Sequence, residues 1–161
     1  MALFHKNVQL FETVYSSYAD MVYRLALSYL NHREDAQDVT QDVFTKYMCG
    51  LHIPMDKEHE KAWFIRVTIN QCHDCLRRKK HRMHISLDEM EDFPGHEQEI
   101  PFMLQETMQC LPEKYRTVVI LHYLEGFSVQ EISSICKISV SAVKMRLLRG
   151  RELLKEELRK E

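Results

Sequence analysis

The sequence predicts an all-α protein: two small helical domains joined by an acidic linker, the second carrying a helix-turn-helix. Three observations predict it. Only four Gly and four Pro occur in 161 residues, so long helices meet few interruptions. Apolar residues recur at three- and four-residue spacing, and no segment alternates convincingly over strand length. One stretch, SLDEMEDFPGHEQEIP, breaks the pattern with Pro94-Gly95, Pro101 and clustered charge. Domain one is expected at 1–83, the linker at 84–103 and domain two at 104–161.

Domain one holds three helical stretches. VQLFETVYSSYADMVYRLALSYL repeats Phe11, Val14, Tyr15, Tyr18, Val22, Leu25 and Tyr29 at helical spacing. In REDAQDVTQDVFTKYM, Ala36, Val39, Val43 and Tyr47 share one face, while Glu34, Asp38, Gln41, Asp42 and Thr45 share the opposite one. Gly50 and Pro54 in GLHIPMDKEH interrupt. In EKAWFIRVTINQCHDCLRRKKH, Ala62, Ile65, Ile69, Cys72 and Leu76 form an apolar face. Trp63, Arg66, Asn70, Asp74, Arg77 and Arg78 group on the other.

Domain two opens with FMLQETMQCLPEKYRTVVILHYLEG, where Pro112 suits a first helical turn and Gly126 an end. Ser128 and Glu131 form a capping box before VQEISSICK, and Ser139 caps the last helix. There Val140, Val143, Leu147 and Leu154 should face inward.

Composition excludes some classes. No run of about 18 apolar residues is present, so no membrane-spanning helix and no membrane insertion are expected. The first residues lack a signal-peptide pattern, and five cysteines are an odd number; reduced thiols in the cytoplasm are expected. The net charge of -2 is unevenly spread. Residues 1–84 carry 12 basic and ten acidic side chains, and residues 105–161 carry ten basic and eight acidic. Between them lie Asp88, Glu89, Glu91, Asp92, Glu97 and Glu99 with no cation.

Several surfaces carry chemistry. On the last helix Ser141, Ala142, Met145, Arg146 and Arg149 point away from the core, with Lys144 nearby. A helix-turn-helix lays such residues in the major groove, where small side chains allow close approach and arginines meet guanine or phosphate. The same residues also read as a solvated basic helix. Trp63 with Arg66, Asn70, Arg77 and Arg78 suits unstacked bases and a single-strand backbone, and the loop with Leu51, His52, Ile53 and Met55 can wall a pocket for an extruded base. Core packing for Trp63 and a solvated end for the cations is the other reading. The polar face of the second helix is either a dock for a basic partner helix or plain solvated surface.

Cys72-x2-Cys75 followed by His81-x2-His84 has zinc-like spacing, but Cys72 and Cys75 lean to the apolar side while His81 projects oppositely. No metal and no cofactor are expected. Cys110 and Cys136 read as core. No Ser/His/Asp set, phosphate loop or carboxylate pair stands out, so no catalytic residue is assigned and an enzyme is not expected.

Taken in order, these motifs resemble the sigma-70 family of bacterial RNA polymerase sigma factors, in its small two-domain extracytoplasmic-function (ECF) group. REDAQDVTQDVF is similar to the helix that docks on the polymerase clamp, and AWFIRVTINQCHDCLRRKK to the promoter-melting helix. LPEKYRTVVILHYLEGFSVQEISSICKISVSAVKMRLLRGRELL is similar to the -35-reading domain. The resemblance covers about 35–82 and 105–155. It implies core RNA polymerase and promoter DNA as partners. Polymerase docking falls to Glu34, Asp38, Gln41, Asp42 and Thr45. Contacts to the -10 element fall to His52, Ile53, Trp63, Arg66, Asn70, Asp74, Arg77 and Arg78. The -35 contacts fall to Ser141, Ala142, Lys144, Met145, Arg146 and Arg149. The family commonly has an anti-sigma protein as a further partner. Its linker sits in a polymerase channel that later carries RNA.

Two departures stand out. Ala142-Val143-Lys144-Met145-Arg146 replaces the common Thr-Val-Lys-Ser-Arg and removes two hydroxyls, so the -35 sequence does not carry over. Cys72, His73 and Cys75 replace small or aliphatic residues. The alternative is a free-standing helix-turn-helix regulator with an N-terminal sensing domain.

Overall fold

A computed structural model describes residues 1–50, 56–83 and 102–160, and every regular element among them is helical. The chain divides into two compact units, Met1–His73 and Asp74–Glu161. This division falls inside a helix, whereas the sequence reading keeps that helix whole. Most of the expected linker, with its six carboxylates, lies outside the described residues. The next helix already begins at Phe102, two residues before the expected start of domain two.

Unit 1 is built on α1 (Ala2–Leu30), α2 (Arg33–Cys49) and the start of α3 (Lys57–Met83). Asn31 adopts a left-handed conformation, φ 48°, and its N–H bonds the Leu27 carbonyl, which ends α1. His32 then caps α2, so the chain reverses within two residues. Val22, Leu25 and Tyr29 of α1 are buried, as are Ala36, Val39 and Val43 of α2. Tyr15 remains 46% exposed, yet its ring lies 4.8 Å from that of Phe44.

The centre of this unit is Phe64 of α3, fully buried. Its ring stacks on Tyr18 at 4.6 Å and on Tyr47 at 5.2 Å, and also meets Phe44 and Trp63. The buried arc of α3 is wider than the periodicity predicts. Phe64, Thr68 and Gln71 join Ile65, Ile69 and Cys72, because α3 packs aromatic contacts from both α1 and α2.

Unit 2 contains α4 (Phe102–Gln109), α5 (Glu113–Val119), a π-helical turn (Ile120–Leu124), α6 (Val129–Cys136) and α7 (Val140–Arg159). Pro112 stands at the N-cap of α5, just outside the helix. Arg116 is buried. Its Nε donates to the Met108 carbonyl at 3.1 Å, and its Nη2 donates to the carbonyls of Gln109 and Leu111, both at 2.8 Å. These carbonyls lie at and just past the end of α4, and that of Met108 also accepts from the Leu111 N–H at 3.2 Å. Gly150 lets α7 approach α5 closely: a Cβ there would lie 2.7 Å from Val119 Cγ2.

Cys110 does not join the core as expected. It follows the end of α4 and is exposed, while Cys136 is half-buried. Among the described residues, no helix is long and apolar enough to cross a membrane.

Candidate nucleic-acid interface

Three helix faces carry the residues singled out by the sequence. On α2, Ala36, Val39, Thr40, Val43 and Phe44 turn inward. Glu34, Asp38, Gln41, Asp42 and Thr45 are all exposed, a polar stripe opposite the core. Thr45 Oγ1 donates to the Gln41 carbonyl at 2.8 Å, so this hydroxyl is already engaged within the helix.

On α3, Asp56 caps the first turn, accepting from the His59 N–H at 2.8 Å and lying 2.7 Å from His59 Nδ1. The hydrogen bond from the His59 backbone, then that from its side chain, holds the Asp56 carboxyl below its usual range. One turn later Glu60 accepts from Tyr47 OH at 3.4 Å. Burial, then the hydrogen bond and charge of Glu60, pushes the Tyr18 phenol up to about 12; burial and Glu60 raise Tyr47 too.

These contacts set the surroundings of Trp63. Its ring meets Tyr47 edge-on at 5.7 Å and Phe64 at 5.0 Å, leaving it half-buried. Arg66 is half-buried on the same side of the helix, and Asn70, Asp74, Arg77 and Arg78 are exposed. Arg77 Nη1 lies 3.4 Å from Asp74 Oδ1, and Arg78 Nε donates to the Asp74 carbonyl at 3.4 Å. His52 and Ile53 lie outside the described residues.

Cys72 is buried, Cys75 half-buried and His81 exposed, while His84 lies outside the described residues. No group of metal-holding side chains forms among the described residues.

The helix-turn-helix is specified at each end by polar bonds. Ser128 and Glu131 complete a capping box at the start of α6. Lys137 takes a left-handed conformation, φ 55°, and ends α6. Ser133 Oγ donates to the Ile138 carbonyl across the turn. Ser139 Oγ then accepts from the Ala142 N–H at 3.1 Å and starts α7. Val143 and Leu147 are buried; Val140 and Leu154 are half-buried. Ser141, Lys144, Met145 and Arg149 are exposed, and Ala142 and Arg146 half-buried. Met145 at 64% exposure has no core role to explain it. A helix of this shape, small and apolar at its first turn and cationic beyond, can enter a major groove.

Comparison with known proteins gives the same picture in sequence order. Residues 14–82 match the family model described as "Sigma-70 region 2", and residues 102–154 match that described as "Sigma-70, region 4". RNA polymerase sigma factor SigV of Bacillus subtilis (strain 168) is 31% identical over 142 residues, covering 86% of this chain and 85% of the relative. The chain belongs to the sigma-70 family, ECF group. ECF RNA polymerase sigma factor SigM of the same organism is 31% identical over 151 residues, covering 89% and 92%. The fold is shared with the sigma factor RpoE solved with the anti-sigma factor NepR from Bartonella quintana. There the TM-score is 0.70 and identity 19%, with 92% of this chain and 96% of that chain covered. CnrH, solved with the cytosolic domain of CnrY, gives 0.66 at 22% identity, covering 95% and 90%. The region 2 match does not favour a sensing domain before the helix-turn-helix.

Sequence reasoning missed three features of these family regions. Phe64 sits between two apolar faces, and the signal was the doublets Phe64-Ile65, Thr68-Ile69 and Gln71-Cys72 at four- and three-residue spacing. The π-helical turn is marked by the Glu125 N–H bonding the Ile120 carbonyl at 3.1 Å, and residue types gave no sign of it. Glu152, whose carboxylate reaches Arg149, was not singled out in the sequence.

Proposed function

We propose that this chain is a promoter-specificity subunit that binds core RNA polymerase and directs initiation at promoters with -10 and -35 elements. The observation that carries the reading is the ordered pair of region 2 and region 4 matches on two all-helical units. We assign residues 1–83 to polymerase docking and the -10 element, 84–103 to the linker and 104–161 to the -35 element.

Polymerase docking falls to Glu34, Asp38, Gln41, Asp42 and Thr45. Their full exposure opposite a well-packed face supports this, since a partner can cover them without disturbing the fold. Contact with the opened -10 strand falls to Trp63, Arg66, Asn70, Asp74, Arg77 and Arg78, with His52 and Ile53 from the preceding loop. A half-exposed indole beside cations offers a stacking surface and phosphate neutralisation on one helix. The -35 duplex falls to Ser141, Ala142, Lys144, Met145, Arg146 and Arg149. The site of action is the cytoplasm, with the polymerase. A partner of the anti-sigma class, such as the anti-sigma factor NepR solved with RpoE, is proposed for this chain as well.

The test is assembly. Asp38→Lys with Asp42→Lys should abolish co-purification with core polymerase and promoter-dependent transcripts, while the helical signal stays unchanged because both positions are exposed. Co-purification at the wild-type yield would remove the docking assignment.

A further inference from the structure

Glu152 projects from the side of α7 that carries the -35 candidates. It follows Met145 by seven residues, two turns, and Arg149 by three. Its Oε2 accepts from Arg149 Nη1 at 3.2 Å, and the two side chains are 52% and 53% exposed. A carboxylate on a groove-facing surface is repelled by the phosphates on either side. This one is placed against the guanidinium expected to meet DNA.

We infer that Glu152 is a positioning residue for Arg149 and sharpens its base discrimination at the cost of affinity. The inference rests on the -35 reading of α7. An arginine has five donors on a flexible stem and can serve a guanine edge or any nearby phosphate. With Nη1 engaged by Glu152, the remaining donors are those free for the paired O6 and N7 acceptors of a guanine. Swinging the guanidinium to a phosphate requires leaving Glu152 unpaired beside the DNA. The carboxylate therefore penalises the sequence-independent contact more than the base-specific one. An exposed single-contact ion pair contributes little to folding, so its loss is read in recognition and not in stability.

The experiment uses holoenzyme assembled from core polymerase and the full chain, with DNA fragments randomised upstream of the start site. Bound fragments are sequenced and total retention is measured. Arg149→Ala should flatten the preference at one base-pair position. Glu152→Ala should weaken preference at that same position by about fivefold while total retention holds or rises. Glu152→Gln keeps an acceptor without the charge and should fall between. Thermal melting of all variants should match the wild type. If Arg149→Ala flattens a position that Glu152→Ala leaves unchanged, the positioning role is overturned and the -35 reading stands. If Glu152→Ala instead flattens a different position, Glu152 reads its own base and the inference is likewise overturned. If Arg149→Ala flattens nothing, the inference falls together with the -35 reading of this arginine.

Discussion

The two units hold their helices in place by different means. Unit 1 relies on rings: Phe11, Tyr15, Tyr18, Phe44, Tyr47, Trp63 and Phe64 form one connected aromatic cluster across three helices. Unit 2 has helices whose ends are fixed by polar groups: Arg116 on the end of α4, Ser128 with Glu131 on α6, and Ser139 on α7. Apolar contact is non-directional, so unit 1 can present a long polar stripe on α2 without that stripe carrying structural duties. Hydrogen bonds are directional, so unit 2 can hold a tight turn and aim one helix. The difference suits the roles proposed above, docking for unit 1 and groove reading for unit 2.

The strongest way to break this comparison is at Phe64. Phe64→Ala should cost about 3–5 kcal/mol, the range for emptying a buried aromatic site. Trp63 is the one tryptophan of the chain and lies in unit 1, so its fluorescence reports that unit. The denaturation midpoint read by fluorescence should fall steeply. An unchanged midpoint would mean the aromatic cluster is not what holds unit 1.

The matching test in unit 2 is Arg116→Met. The substitution keeps a long side chain but removes three hydrogen bonds, although the Met108 carbonyl keeps the Leu111 N–H, at a cost of about 2–4 kcal/mol. Helical signal by circular dichroism should be lost earlier, while the Trp63 transition stays in place. A shift of the Trp63 transition by the same amount would show that the two units do not differ in the way described.

What was legible in the sequence follows the same division. The two sides of α2 were readable: Ala36, Val39 and Val43 are buried and Glu34, Asp38, Gln41, Asp42 and Thr45 exposed, where periodicity places them, while Tyr47 is half-buried. The caps at Ser128 and Ser139 were readable because a cap is a bond between residues three apart. Phe64 was not, since α3 is covered from two directions and its buried arc outgrows a single stripe. Arg116 was not, because its partners exist only after α4 has ended and folded back. Cys110, read as core, is exposed because it follows the end of α4 at Gln109. Of the candidate site, the exposure of the α2 stripe was legible, whereas Trp63, Arg66, Ala142 and Arg146 are half-buried. The i,i+3 spacing of Arg149 with Glu152 and of Asp74 with Arg77 permits each pair, and the structure shows that they form.

A smaller effect sharpens the polar side of the comparison. Ser139→Ala removes the cap of α7 and should cost about 1 kcal/mol. The loss should be local. Amide exchange should accelerate at Ala142 and its neighbours in the first turn, and -35-dependent transcription should weaken although Ser139 is not itself among the residues assigned to DNA. Unchanged exchange in that turn would show that the turn from α6, not the cap, holds the start of α7.

The smallest effect is absent at neutral pH and appears only in alkali. Tyr18 and Tyr47 both lie against Glu60, and both phenols are raised above the ordinary value of 10.0, Tyr18 to about 12. Burial is the first cause in each case, and the Glu60 carboxylate adds to it. A raised acid holds its proton longer in the folded chain than in the unfolded one. Its contribution to stability is therefore complete below about pH 10 and is lost as the pH rises towards about 12. The double variant Tyr18→Phe with Tyr47→Phe keeps both rings and removes both ionisable hydroxyls. Between pH 7 and 9 its Trp63-reported midpoint should stay within about 1 kcal/mol of the wild type, the usual net worth of such hydrogen bonds. From pH 10 upward the wild type should lose stability while the variant changes much less. The two curves therefore converge or cross in alkali. Parallel decline of both would place the alkaline sensitivity elsewhere, and the aromatic cluster would then be held by ring contact alone, with Glu60 as a bystander.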